Sequence, residues 1–166
     1  MLSLIILFLK GENMGYSTKF DGTIKIDKQL TEDQKNYINR LADTRRMART
    51  LTPEQANDPK ALHNIVGLGI GDEGEYYVCD KHDDNINNGN RPPRNQPSLW
   101  CQWIINDDNE IEWDGGEKFY SYIEWMEYIL HILSDWGYVC NGEISWHGEH
   151  IGDTGTIHVI NNVVEY

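Results

Sequence analysis

The sequence is short of cysteines, of basic residues and of long apolar runs, and each shortage excludes a class of protein. The three cysteines, Cys79, Cys101 and Cys140, are widely separated and lack CxxC spacing. An odd number without regular spacing argues against a disulfide framework and favours a reducing compartment. We therefore expect three free thiols in or next to strands.

Basic residues are outnumbered by acidic ones, 14 to 27, which gives a net charge of −13. Nucleic acids and anionic membranes attract Lys and Arg and repel a net anion, so neither is expected as the main partner. Residues 1–60 carry ten basic and eight acidic residues, whereas residues 61–166 carry four and nineteen. The excess acidity therefore belongs to the last two thirds of the chain.

The strongly apolar run, MLSLIILFL, ends at Lys10 after nine residues. A membrane-spanning helix needs about 20 such residues, and the run lacks the charged region and cleavage site of a signal peptide. We interpret residues 1–13 as an upstream extension or disordered tail, with a membrane or partner anchor as the alternative. Residues 14–166 then form a single domain, and the expected location is the cytoplasm.

Apolar spacing in the first half predicts a hairpin and a helix. Residues 16–26 alternate around an Asp21-Gly22 turn signal. Thr31 and Gln34 form a capping box that begins a predicted helix over residues 31–49. The basic residues of this helix share its solvent face: Lys35, Arg40, Arg45, Arg46 and Arg49. A strand at residues 75–79 and a long polar loop at residues 80–98 follow.

The second half predicts two hairpins around one apolar helix. Residues 99–105 and 110–113 form the first hairpin, with Glu110 and Glu112 on a solvated face. A helix over residues 117–136 ends at Gly137, and residues 143–164 form the last hairpin. The fold class is therefore α+β, a mostly antiparallel sheet of hairpins with two main helices packed on one face.

Two glycine-containing motifs suggest anion binding, but ordinary turns and caps explain both better. Residues 69–74 match GxGxxG, yet no helix pattern follows to aim free amides at a pyrophosphate. Asp114-Gly-Gly precedes the apolar helix, whose N-terminus attracts anions. We favour Asp114 as the N-cap of that helix. No cofactor is predicted.

Two clusters carry residue types that bind metals. Residues 80–84 read as a solvated turn without EF-hand spacing. The last hairpin has a second cluster, which would bind a divalent ion if its turn and strands converge, although a hydrated acidic hairpin is the simpler interpretation. Its members are His147, Glu149, His150, Asp153 and His158.

No strong catalytic motif is present, since GxSxG, HExxH and Cys-His signatures are absent from the sequence. Glu110, Glu112 and Glu143 are expected to share one exposed sheet face with Ser145 and His147. Such a face could support general acid and base chemistry, although sheets solvated on one side show the same pattern without chemistry.

Several phrases of the sequence form a recognisable set, namely residues 14–22, 90–93, 96–103, 112–120 and 141–146 together with 162–164. They resemble a family of small, uncharacterised acidic proteins of bacteria and bacteriophages, and the match runs from Met14 to the C-terminus. The resemblance implies no activity, cofactor or catalytic residue. It draws attention to one set of candidate binding residues: Arg91, Trp100, Gln102, Trp103, Asp114, Glu117, Lys118 and Glu143.

We therefore predict a non-catalytic module, encoded by a phage or mobile element, that presents an acidic face with aromatic anchors to a basic, nucleic-acid-binding protein. Six Trp and nine Tyr supply candidate anchors, because aromatic residues are enriched at interfaces. The first alternative is a small hydrolase or nucleotide-modifying enzyme that uses sheet-face carboxylates and histidines. The second is a homodimer that buries the aromatic residues.

Overall fold

The computed structural model describes residues 15–79 and 85–166. The predicted extension at residues 1–13 and the candidate metal cluster at residues 80–84 lie outside the described residues. In chain order, the elements are β1 (Lys19–Ile26), α1 (Glu32–Asp43), β2 (Ala48–Arg49), α2 (Pro53–Asn57), α3 (Leu62–Ile65), β3 (Ile86–Asn88), β4 (Trp103–Ile105), β5 (Glu110–Trp113), α4 (Tyr122–Asp135), β6 (Cys140–His147), β7 (Thr154–Ile160) and β8 (Val163–Glu165).

Six strands form one antiparallel sheet in the order β4-β5-β1-β6-β7-β8, and β2 pairs with β3 separately. Alternate residues of the large sheet, such as Ile24, Ile111, Ile144 and Ile157, point inward and are fully buried. Helices α1 and α4 contribute to the same core cluster. The predicted α+β fold, with two main helices on one face, is therefore confirmed.

Helix α4 is the central packing element, but it begins later than the sequence indicates. The segment before it places Phe119 in the core and holds Lys118 and Ser121 in left-handed conformations, with φ of 57° and 56°. These conformations interrupt a helix, so α4 begins at Tyr122 and not at residue 117. Its end at Gly137, which has φ of 85°, is confirmed.

Helix α1 has the predicted capping box, with reciprocal hydrogen bonds between Thr31 and Gln34. It ends at Asp43 and not at residue 49, because Thr44 is extended and its hydroxyl donates to the carbonyl of Cys79 at 3.1 Å. The chain then enters β2. The predicted basic helix face is consequently wrong, since Arg46 and Arg49 are buried beyond the helix.

Strand β1 runs straight through the predicted Asp21-Gly22 turn. Gly22 pairs beside Ile144, and Gly142 pairs beside Ile24, on the adjacent strands β1 and β6. A Cβ on Gly22 would lie 2.6 Å from the Glu143 carbonyl oxygen, and one on Gly142 would lie 2.6 Å from the Thr23 carbonyl oxygen. Both glycines thus permit close strand approach. The predicted strand at residues 75–79 is also wrong, because a 3₁₀ turn at residues 72–74 precedes an irregular segment.

Most of the tryptophans stabilise the core. Trp103 and Trp125 are fully buried, and Trp113, Trp136 and Trp146 pack against the core cluster. Only Trp100 among the six is markedly exposed, at 43%. The aromatic surplus is thus mainly core material.

The three cysteines are free thiols, as predicted, and no helix in the described ranges is long and apolar enough to cross a bilayer.

Candidate functional site

Four of the candidate binding residues line one cleft of about 490 Å³: Trp100, Gln102, Glu117 and Lys118. One wall is the loop before β4, with Pro92 and residues 98–100. The other wall is the segment of residues 117–120 before α4. The sequence phrases therefore point to residues that are distant in the chain but meet in the fold.

The cleft is lined mainly by apolar and aromatic groups. Trp100 and Tyr120, exposed at 43% and 56%, contribute a ring from each wall. Tyr120 was not among the sequence candidates, although it closes the EKFY phrase and directly follows the core residue Phe119. Exposed aromatic residues in a concave site are typical of ligand and interface anchors.

A buried arginine holds the first wall in place. Arg46 donates from Nε to Gln96 Oε1 at 2.9 Å, and from Nη2 to the carbonyls of Glu75 and Tyr77 at 2.7 and 2.9 Å. The Arg46 backbone N–H also bonds to the Leu99 carbonyl at 2.9 Å. Burial lowers the pKa of Arg46, as expected for a desolvated cation. The loop that carries Trp100 is thus fixed from beneath.

The second wall is joined to the first through side-chain hydrogen bonds. Gln102 donates from Nε2 to the Glu117 carbonyl at 2.8 Å and accepts from Trp113 Nε1 at 3.0 Å. The Ser98 hydroxyl has two alternative acceptors, the Trp100 carbonyl at 3.2 Å and, on the second wall, the Tyr120 carbonyl at 3.3 Å, and it accepts from Trp125 Nε1 at 2.7 Å. These bonds use the polar groups at the base, so the cleft is organised without a ligand.

Other candidate binding residues have structural roles. Arg91 forms a bidentate pair with Glu73, at 2.7 and 2.8 Å, and this pair lowers the pKa of the Glu73 carboxyl. Trp103 is buried and donates to the Tyr122 carbonyl at 2.9 Å. Asp114 accepts from the Gly116 N–H at 2.7 Å, and it is not the N-cap of α4, because Ser121 occupies that position without a side-chain cap.

The remaining binding candidate, Glu143, lies away from the cleft on the outer face of the large sheet. The term "outer face" denotes the surface formed by the outward-pointing residues of this sheet. One row crosses four strands, in which Thr23 pairs with Glu143, Glu143 with His158, and His158 with Glu165. His158 Nδ1 lies 3.5 Å from Glu143 Oε2. Neighbouring strands are about 4.8 Å apart, so Glu143 and Glu165 are separated by about 10 Å.

Further carboxylates extend the outer face. Glu110 and Glu112 on β5 point outward, as the alternation predicts, because Ile111 between them is fully buried. Asp21 on β1 is exposed and pairs beside Ser145. Lys19 and Lys25 supply opposing charge from β1. The outer face is therefore a solvated, predominantly acidic surface.

The last hairpin does not gather its metal candidates into one ligand set. His147 pairs with Thr154 and His158 pairs with Glu143, which separates the two histidines by four positions, or about 13 Å along the strands. Within the described ranges, no group of three or more His, Cys, Asp or Glu residues is placed to hold a metal ion.

Instead, the turn of this hairpin binds residues 16–17. Asp153 accepts a hydrogen bond from the Tyr16 hydroxyl, and Glu149 accepts from the Ser17 N–H at 2.7 Å. The His150 ring lies 5.4 Å from the Tyr16 ring. Three of the five proposed ligands therefore attach residues 16–17 to the last hairpin.

The glycine motif at residues 69–74 forms a turn. Gly69, Gly71 and Gly74 all have positive φ, and only a 3₁₀ turn follows. A helix N-terminus that would bind a pyrophosphate does not follow this loop, in agreement with the turn interpretation.

Known proteins add no assignment to these surfaces, since no family model, no curated protein and no solved structure matches the chain. The resemblance to the bacterial and phage family stays a prediction.

Proposed function

We propose that this protein is a non-catalytic binding module that docks the outer face on the basic surface of a nucleic-acid-binding protein. The observation that carries the proposal is the outer face, where carboxylates from β1, β5, β6 and β8 lie on one side of the sheet. Both main helices pack on the opposite side, so neither of them covers these carboxylates.

Electrostatics supports this choice of partner. Glu143 and Glu165 are exposed, and the whole chain carries −13. Complementary charge accelerates encounter and suppresses wrong partners more than it adds affinity. The spacing of about 10 Å between these carboxylates is set by strand separation, so the charges stand on a rigid scaffold as phosphates do on nucleic acid. We therefore expect this protein to compete with nucleic acid for the same surface of the partner.

The enzyme alternative has weaker support. Glu143 and His158 form a pair on an open surface, and neither lines the cleft with Glu117. General acid and base chemistry requires the two groups within reach of one bound substrate. A single carboxylate in the cleft does not make such a pair.

The test compares two variants with the same charge change. In the face variant, Asp21→Asn, Glu143→Gln and Glu165→Gln neutralise exposed carboxylates on three strands of the sheet. Wild-type and variant proteins are immobilised, and bound proteins from bacterial lysate are quantified and then titrated individually as purified proteins. We expect basic nucleic-acid-binding proteins to bind the wild-type protein, and their affinity for the face variant to be at least tenfold lower.

The control variant carries Asp33→Asn, Asp108→Asn and Glu127→Gln, which are exposed positions away from the outer face. It should retain the same partners, because it changes net charge equally but leaves the docking surface intact. Bound partners should also be released by competing double-stranded DNA and by salt of about 0.5 M, where screening is strong. Equal loss of binding in both variants, or binding insensitive to DNA and salt, would contradict the proposal.

A further inference from the structure

Two charged residues line the cleft, Glu117 and Lys118, and the fold does not use the charged group of either. Within residues 15–79 and 85–166, the Glu117 carboxylate and the Lys118 ammonium make no hydrogen bond or ion pair, whereas the Gln102 amide bonds on both sides. Ligand recognition in this cleft therefore depends on the aromatic rings and on these two charges.

The aromatic rings and Glu117 together match the chemistry of a guanidinium group. Trp100 and Tyr120 are aromatic residues exposed at 43% and 56%, and Arg stacks on aromatic rings while pairing bidentately with carboxylates. The cleft volume of about 490 Å³ lies within the range of sites that enclose small ligands. A net charge of −13 further favours a cationic group.

We propose that the cleft is a docking site for an arginine side chain of a partner polypeptide, with Glu117 as the charge partner and Trp100 and Tyr120 as the stacking surface. This inference does not depend on the outer face, because none of the residues lining the cleft belongs to it. It assigns a recognition chemistry to the Glu117 carboxylate, which has no hydrogen bond or ion pair within the described residues.

Lys118 makes the sign of the ligand charge testable. A Cβ on Gly15 would lie 2.8 and 2.9 Å from Cδ and Cε of Lys118, so the lysine stem passes beside the Gly15 backbone. Its ammonium contributes positive charge at the cleft, which opposes an arginine and would favour an anion. Neutralising Glu117 and neutralising Lys118 must therefore change the affinity for an arginine ligand in opposite directions.

The experiment uses three pentapeptides that differ only in the central residue, which is arginine, its neutral isostere citrulline, or glutamate. Indole N–H resonances of the ¹⁵N-labelled full chain report binding. The Trp100 indole has no acceptor among the described residues and should respond to ligand. The Trp136 indole donates to the Val66 carbonyl at 3.1 Å and serves as an internal reference.

We expect the arginine peptide to shift the Trp100 resonance saturably and to bind about tenfold more tightly than the citrulline peptide, as a charged hydrogen-bonded pair implies. Glu117→Gln should remove most of this advantage. Lys118→Met should strengthen binding about twofold to fivefold, the size of an exposed charge effect. Unchanged reference resonances and melting temperatures would show that both variants remain folded.

Three outcomes would overturn the inference. Equal binding of arginine and citrulline peptides would indicate an apolar site, and preferential binding of the glutamate peptide, lost in Lys118→Met, would indicate an anion site. A Trp100 resonance unmoved by millimolar arginine peptide would exclude this cleft as the docking site. None of these results bears on binding by the outer face, which the charge-matched variants test separately.

Discussion

Replacing Arg46 with methionine should be among the most destabilising single substitutions at a polar residue of this chain. Arg46 is 2% exposed and donates to Gln96 Oε1 and to the carbonyls of Glu75 and Tyr77. Methionine has similar length but no donor. The substitution therefore removes the Arg46 donor from all three acceptors, of which the Glu75 carbonyl keeps its bond from Gln96 Nε2 at 2.7 Å.

The expected loss follows from these three bonds. A hydrogen bond from a charged donor contributes about 1.5–3 kcal/mol, so three bonds set an upper bound of about 9 kcal/mol. The desolvation of the cation and the unpartnered Nη1 atom offset part of this, and the methionine side chain fills part of the volume. We therefore expect the free energy of unfolding to fall by about 3–5 kcal/mol, because each buried acceptor that loses its donor costs about 1–3 kcal/mol.

Urea unfolding followed by tryptophan fluorescence measures this loss. With an m-value of about 2 kcal/mol per molar, the midpoint should fall by about 2 M. Arg94→Met, at an exposed position, is the matched control and should change stability by less than about 0.5 kcal/mol. Arg46→Lys retains a charged donor and should lose less than Arg46→Met, which keeps the series measurable if methionine prevents folding. A loss below 1 kcal/mol for Arg46→Met, at an unchanged m-value, would refute the reasoning.

Gly22→Ala and Gly142→Ala should each lower the stability measured by thermal unfolding by about 2–4 kcal/mol, because each Cβ would meet a backbone carbonyl at 2.6 Å. A melting temperature equal to that of the wild type would refute this. Asn39→Ala removes both side-chain bonds to the backbone of edge strand β4, so we expect a loss of about 2 kcal/mol in urea and more light scattering on heating. Thr31→Ala should lower the free energy of unfolding by about 1 kcal/mol. Thr52 caps the exposed helix α2, so Thr52→Ala should lower it by less than about 0.5 kcal/mol. Equal losses at both caps would contradict this contrast.

Local periodicity predicted the elements whose burial is decided within a few residues. The alternation of Glu110, Ile111 and Glu112 indicated β5 and its solvated side, because successive side chains of a strand point to opposite faces. The capping box at Thr31 and the end of α4 at Gly137 depend on neighbouring residues, and both were confirmed. These features need no knowledge of the rest of the chain.

Two of the wrong predictions, the turn at Asp21-Gly22 and the helix beyond Asp43, have a different cause, which is contact between distant residues. Asp21-Gly22 has the composition of a turn, but this position requires glycine because a Cβ would collide with the Glu143 carbonyl oxygen of strand β6. The segment after Asp43 reads as more helix, yet Arg46 takes its acceptors from residues 29 and 31 positions later in the chain. Neither partner can be inferred from periodicity.

The candidate site was predictable in part. The sequence phrases that suggested the family resemblance identified Trp100, Gln102, Glu117 and Lys118, which the fold brings together. They also identified Glu143, which lies on the outer face because β6 pairs in the middle of the sheet. Short phrases mark segments, whereas the direction of each side chain depends on strand order and on the left-handed conformation of residues such as Lys118.

The surface of the protein is more acidic than the counts along the chain indicate. Residues 1–60 carry a slight basic excess, but Arg46 and Arg49 from that region are buried, and Arg91 is paired with Glu73. Arginines that stabilise the interior or bind a carboxylate contribute little to the field that an approaching partner meets. Among the described residues, the exposed carboxylates of Glu143 and Glu165 have no Lys or Arg partner, and the net charge is −13, so the long-range field is dominated by acidic groups. A basic partner would therefore be attracted by the net negative charge, and the local arrangement of carboxylates and aromatic residues, on the outer face or in the cleft, must decide where it binds.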